Sequence, residues 1–186
     1  MSSTSTATPT AATYTFDPAH SAAHFKVRHM MIANVRGEFR KLSGAVKFDP
    51  ANPAASSVSV EIDVNSISTR EPDRDNHLKS ADFFDAAKHA TLRFQSKRVE
   101  AAGAGAYRVT GDLTIRGVTR EVVLNVEGVT EEHRDPWGNM RRGAEAATKI
   151  NRKDFGLLWN QALETGGVLV GDQVEISLEV ELVRAA

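Results

Sequence analysis

Cysteine is absent from the chain. That absence removes disulfides, thiolate nucleophiles, zinc ribbons and iron–sulfur ligation together. An excess of charge of one sign is missing too: 23 Lys and Arg stand against 24 Asp and Glu, mixed along the chain, for a net charge of -1. No field therefore exists to draw in nucleic acid or an anionic membrane. No apolar run approaches the roughly 18 residues that a spanning helix needs, so stable insertion into a membrane is not expected. Only 6% of the residues are aromatic, which leaves a core to the aliphatics. The G-x-S-x-G elbow of serine hydrolases is absent, and no Gly-Lys-Ser/Thr follows the glycines of "GAGAYRVTG", so neither a nucleophile elbow nor a P-loop is present. The opening "MSSTSTATPTAAT" has no basic n-region and no apolar h-region, and its first charge is Asp17. Residues 1–13 read as a disordered tail on a cytoplasmic protein, and residues 14–186 as one domain.

What the chain does have is alternation. In "VSVEIDV" Val58, Val60, Ile62 and Val64 fall on one face and Ser59, Glu61 and Asp63 on the other. Near the C-terminus "VEISLEVEL" repeats the pattern, with Val174, Ile176, Leu178, Val180 and Leu182 opposite Glu175, Ser177, Glu179 and Glu181. A helix would scatter these charges around its circumference, whereas a strand sorts them by face. Weaker versions occur in "HFKVRH", "GAVKF", "TLRFQS", "YRVTGDLTI", "EVVLNVEG" and "GAEAATKI". Eight strands follow, several separated by turn-forming stretches such as "EAAGAGA" and "RDPWGN". Each strand has one apolar face, so an antiparallel sheet of this size must close or stack, and a closed barrel suits a chain of this length.

One segment breaks the alternation. In "EPDRDNHLKSADFFDAAKH", Pro72 and the charges after it predict a short helix, and Ser80 a cap for a second helical turn, "ADFFD", with Asp82 near its positive end. Asp73, Asp75 and His77 supply groups for acid–base chemistry, although Arg70 or Arg74 pairing with an acid is the blander use. His20 and His24 are four apart, but no Glu follows His20 and the neighbouring residues alternate as a strand. They read as surface groups rather than metal ligands. In "NRKDFGLLWN", Asp154 and Gly156 predict a turn, with Phe155 and Trp159 filling the core or lining a cavity.

Taken in order, "FDPAHSAAHFKVRHM", "VRGEF", "RDNHLKSADFFD", "GDLTIRGVTREVVLNV" and "INRKDFGLLWN" resemble the signature of the YceI-like family over nearly the whole chain. The resemblance implies an all-β, lipocalin-like fold: a closed eight-stranded antiparallel barrel with a short helical insertion. It also implies an apolar tunnel for an isoprenoid-type amphiphile, either a polyprenyl chain or an isoprenoid quinone. It further implies a homodimer, binding without catalysis, and no cofactor or metal. The histidines then resemble positioning and rim groups. The inward members of the strands are the candidate lining: Phe25, Val27, Phe39, Val46, Phe48, Val60 and Ile62 from the first half, and Leu92, Phe94, Leu113, Ile115, Leu124 and Ile150 from the second. Phe155 and Trp159 join them, with Arg28, His29 and Arg152 as polar donors at a mouth. Alternation alone does not tell a hollow barrel from a filled one. Two other readings stay open: a hydrolase or isomerase of a small amphiphile using His29 or the Asp73/Asp75/His77 group, and a structural barrel with a solid core. The missing nucleophile motif ranks catalysis below binding.

Overall fold

The computed structural model describes residues 11–186. Alternating segments become strands, and every pairing between them is antiparallel. The strands are β1 (Ala12–Phe16), β2 (Ala22–His29), β3 (Ala33–Phe39), β4 (Leu42–Phe48), β5 (Ser57–Asp63), β6 (Ile67–Ser68), β7 (Thr91–Gly103), β8 (Ala106–Ile115), β9 (Val118–Glu127), β10 (His133–Arg134), β11 (Met140–Asn151) and β12 (Val170–Arg184). One α-helix, α1 (Pro72–Lys79), lies between β6 and β7.

These strands make the closed eight-stranded barrel because two pairs act as single staves. β1 and β2 lie end to end along β12, with Phe16 opposite Leu182, Ala22 opposite Glu179 and His29 opposite Val170. β3 and β4 follow in the same way, β3 against β2 and β4 against β1. β5, β7, β8, β9, β11 and β12 complete the ring in chain order, while β6 and β10 are two-residue additions to β3 and β11. Closure comes from β12, which pairs with β11 from Arg141–Val183 to Asn151–Gln173 on one edge and with the first stave on the other. A ring of this kind leaves no free sheet edge at its seam. Of the tail read from the sequence at 1–13, residues 1–10 lie outside the described residues. Its boundary moves, since β1 begins at Ala12, where the buried Ala12 pairs with Phe48 and Thr13 with Lys47.

Alternation turns the apolar members inward, and Val60, Leu92, Phe94, Val109 and Ile115 are buried. Close strand approach fixes one glycine: Gly44 has φ +139°, and a Cβ there would sit 2.0 Å from the Ser59 carbonyl oxygen. The helical insertion is half as helical as the sequence predicts. α1 forms, but "ADFFD" is a set of hydrogen-bonded turns, because the Ser80 hydroxyl donates back to the His77 carbonyl (2.7 Å) and Asp85 takes φ +49°. Arg74 fixes this segment by donating to Thr69 Oγ1 and O, at 2.8 and 3.0 Å, rather than to an acid.

The bend that splits the first stave is held by charge. Arg141 of β11 donates from Nη1 to Asp17 Oδ2 and to Glu181 Oε1 (2.6 Å), and from Nε to Asp135 Oδ2 (2.6 Å). Arg141, helped by His20, holds the Asp17 carboxyl well below the usual carboxylate range. A group whose folded pKa is depressed stabilises the fold above its unfolded pKa and loses that contribution as acid is added. Stability of the native chain should therefore fall as pH drops below about 4, the unfolded Asp value. Arg141→Gln should flatten that acid limb. Urea midpoints at pH 7, 4 and 3 for both proteins check it, and parallel pH dependences would contradict it.

Candidate functional site

The barrel is hollow. A cavity of about 160 Å³ lies among Phe25, Ile62, Leu92, Leu113, Ile150 and Ile176, and a second of about 100 Å³ among Phe16, Val46, Val58, Tyr107, Val126 and Val180. Val60, Leu124 and Leu178 line both, so the two lobes meet at a waist of aliphatic side chains. The wall facing the lumen is entirely apolar.

Glycines explain why large rings inside the barrel do not fill it. Phe25 stands opposite Gly37 in the β2–β3 register, and a Cβ on Gly37 would lie 2.3 Å from its ring. The Phe94 ring occupies the corresponding space over Gly111, 2.6 Å from where a Cβ would be. Both rings lie back against the neighbouring strand where a side chain would otherwise stand. The Phe25 ring is tilted against Phe39, with centroids 5.7 Å apart.

Most of the sequence-predicted residues converge here. Phe25, Val27, Phe39, Val60, Ile62, Leu92, Phe94, Leu113, Ile115, Leu124, Ile150 and Arg152 border the larger lobe. Val46 and Phe48 border the smaller. Three residues do not join them. Phe155 is 1% exposed and packed in the core beside the lumen. Trp159 turns its edge to His77, centroids 4.7 Å apart. His29 ends β2, opposite Ala33 and Val170, and lines neither lobe, although Val170 borders the larger one.

Arg152 borders the lumen but does not offer it a donor. Its Nε donates to the Gly171 carbonyl (2.8 Å), Nη1 to those of Leu157 (2.7 Å) and Trp159 (2.8 Å), and Nη2 to that of Val170 (3.3 Å). Burial pushes its pKa down while Asp172, 3.6 Å away, works in the opposite direction. A buried guanidinium spent on four carbonyls is a clamp. It ties the turn at Arg152–Phe155, capped by left-handed Gly156, to the start of β12. Arg28, likewise, donates Nε and Nη2 to the Met31 carbonyl in the β2–β3 turn.

The opposite end has a second buried arginine that sequence reading missed. Arg142 donates from Nε to Tyr14 Oη (2.9 Å) and from Nη1 to the Thr130 carbonyl (2.7 Å). Its guanidinium lies over the rings of Phe48 (5.3 Å) and Tyr14 (5.7 Å). Tyr14 is 1% exposed and donates to Glu132 Oε1 (2.6 Å), and burial followed by that carboxylate raises its pKa. The only signal in the sequence was an arginine in an inward register, Arg142 alternating with Ala144 and Ala146.

The candidate acid–base group does not assemble. Asp75 Oδ1 accepts from the Thr69 backbone N–H (2.8 Å) and hydroxyl (2.5 Å), fixing the start of α1. Asp73 is exposed in the first turn of α1, and His77 Nε2 lies 2.8 Å from Asp82 Oδ2 between the rings of Phe83 and Trp159. Asp17, His20 and Glu181 do come within reach of one another, but Arg141 already occupies Asp17 and Glu181.

A family model described as the YceI-like domain matches residues 14–182. A UPF0312 protein of Vibrio cholerae is 42% identical over 149 residues, covering 79% of this chain and 78% of that one. A Staphylococcus aureus UPF0312 protein is 38% identical over 170 residues, 90% of this chain and 95% of that one. Among solved structures, Burkholderia cenocepacia BcnA superposes with a TM-score of 0.78 at 28% identity, covering 89% of this chain and 98% of that one. A structure described as a polyisoprenoid binding domain from Saccharophagus degradans shares the fold at TM-score 0.67 and 16% identity, over 94% of this chain and 99% of that one. The chain belongs to the YceI-like family.

The Arg152 clamp makes a direct test. Arg152→Ala leaves four carbonyls without their donor and should cost about 3 kcal/mol or more. Arg152→Lys should recover little of it, since an ammonium cannot span the fork. Urea unfolding of the three proteins checks this, and near-native stability of Arg152→Lys would contradict the clamp.

Proposed function

We propose that this YceI-like protein binds an isoprenoid-type amphiphile, a polyprenyl chain or an isoprenoid quinone, and stores or carries it in the barrel lumen without chemical change. The observation that carries the reading is the two-lobed lumen with its wholly apolar wall. Such a wall solvates a slender hydrocarbon and offers a polar head nothing. The Saccharophagus degradans neighbour, described as polyisoprenoid binding, supports the same occupant for the same fold. Arg152 spends its donors on backbone carbonyls and Asp75 its Oδ1 on the Thr69 N–H and hydroxyl, which favours binding over acid–base chemistry.

Affinity then comes from chain length. Each buried methylene is worth about 0.8 kcal/mol, so a five-carbon prenyl unit supplies roughly 3 to 4 kcal/mol before ordering costs. Among the described residues no helix is long and apolar enough to cross a membrane, and the proposed form is a homodimer in the cytoplasm. Light scattering on gel-filtered protein checks the dimer as twice the chain mass, and the mass of a single chain would contradict it.

Titration with geraniol, farnesol and geranylgeraniol tests the binding reading. Affinity should rise about tenfold or more per added prenyl unit, and the alcohols should be recovered unchanged. Leu178→Trp, placed at the waist, should abolish the gain for the longest chain while sparing the shortest. Affinity independent of length, or conversion of the alcohol, would overturn the reading.

A further inference from the structure

The ring of staves is not evenly sealed. β8 and β9 pair without a break from Ile115–Val118 to Tyr107–Val126, and β11 and β12 from Arg141–Val183 to Asn151–Gln173. Between β9 and β11, pairing covers only residues 125–127 against 145–147. Among the described residues, 118–124 of β9 have no ladder partner in β11, and continuing the register sets 148–151 opposite 121–124. The four unpaired residues of β11 make a slit about 13 Å long, at roughly 3.3 Å per residue.

The slit opens onto the larger lobe. Val122 and Leu124 on one lip, and Thr148 and Ile150 on the other, all border that cavity. Val123, the outward apolar residue of the β9 lip, is 38% exposed. Both barrel ends, by contrast, are stopped by buried side chains. Phe83, Phe155 and Leu157 lie at the helical end, and Tyr14, Phe48 and Arg142 at the other. The turn Arg152–Phe155, which leaves β11 and meets β9, borders the slit. One side chain ties this turn to the β9 lip. Arg116, in the β8–β9 turn, donates from Nη1 to the carbonyls of Gly156 (3.3 Å) and Phe83 (3.1 Å).

We propose that the slit between residues 118–124 and 148–151 is the lateral portal through which an amphiphile's chain enters and leaves the lumen, with Arg116 as its latch. The proposal rests on the binding reading above and adds the route. A side portal lets the hydrocarbon slide in between two strands while the polar head stays outside in water, as a wholly apolar lumen requires. Widening it breaks the Arg116 bonds but no ladder hydrogen bond, whereas opening either end would unpack a buried cluster.

The test uses the lack of cysteine in the chain. Continuing the β9–β11 register places Val123 opposite Lys149. Val123→Cys with Lys149→Cys gives a disulfide across the slit, and Glu127→Cys with Glu145→Cys a control across rows already paired. Stopped-flow fluorescence with dansyl-labelled farnesol reads uptake and release. Oxidation of the slit pair should slow both at least tenfold, reversibly with dithiothreitol, and oxidation of the control pair should change neither. Arg116→Ala should speed both rates by similar factors and leave Kd within twofold. If the slit thiols do not join, Val123→Cys carrying a bulky maleimide should slow exchange in place of the disulfide. Wild-type rates with the slit cross-linked or labelled would overturn the portal and put access at a barrel end. Unchanged rates in Arg116→Ala would overturn the latch. Failure of wild-type protein to bind the probe at equilibrium would instead bring down the binding reading.

Discussion

Everything in this molecule depends on β12 finding two neighbours at once. Its residues 173–183 pair with β11, while residues 170–179 and 182–184 pair with the two halves of the first stave. The pairings with the first stave join the two ends of the described chain, from Tyr14 opposite Arg184 to His29 opposite Val170. Until they form, the inward rows of valine, leucine and phenylalanine face water, and each large apolar side chain forgoes about 1.5 to 3 kcal/mol of burial. Once they form, the sheet has an inside. The Arg141 cluster lies at a break in this ring, the bend at Asp17 between the two halves of the first stave.

Closure alone does not produce a cavity. An eight-stranded barrel is narrow enough for side chains to fill. Here the phenylalanine rings at 25 and 94 are folded back over glycines in the next strand, and the remaining lining is mostly aliphatic. The polar needs of the two ends are met inside the wall itself. Arg152 gives its donors to backbone carbonyls at one end, and Arg142, Tyr14 and Glu132 satisfy one another at the other. The result is a lumen with nothing polar facing it, which favours length of hydrocarbon over head-group chemistry as the basis of recognition. The short ladder between β9 and β11, three residues on each strand, is the feature of that wall on which the proposed portal rests.

Much of this was legible in the sequence. Each of the eight alternating segments became part of one stave, because the side-chain period of a strand is fixed and a buried face leaves no freedom of register. The lining residues followed from the same parity, from Phe25 in the first stave to Ile150 in β11. Parity is blind, however, to what a side chain meets across the barrel. It gave no warning that Gly37 and Gly111 make room for rings, which is why hollow and solid barrels could not be separated. Nor could it reveal that Arg152 is spent on carbonyls brought near only by folding, or that Arg142 does the same work at the far end. "ADFFD" went astray for a local reason: the Ser80 hydroxyl bonds backwards to His77, and this ends α1 instead of starting another turn.

The central claim is that the lumen holds one chain-like apolar molecule. Native mass spectrometry of the purified protein, set beside mass spectrometry of its organic-solvent extract, tests this most directly. The account predicts a mass shift of one ligand per barrel, matched in the extract by a lipid with an isoprenoid chain. An unshifted native mass together with an extract free of any prenyl lipid, from protein purified without detergent, would contradict it.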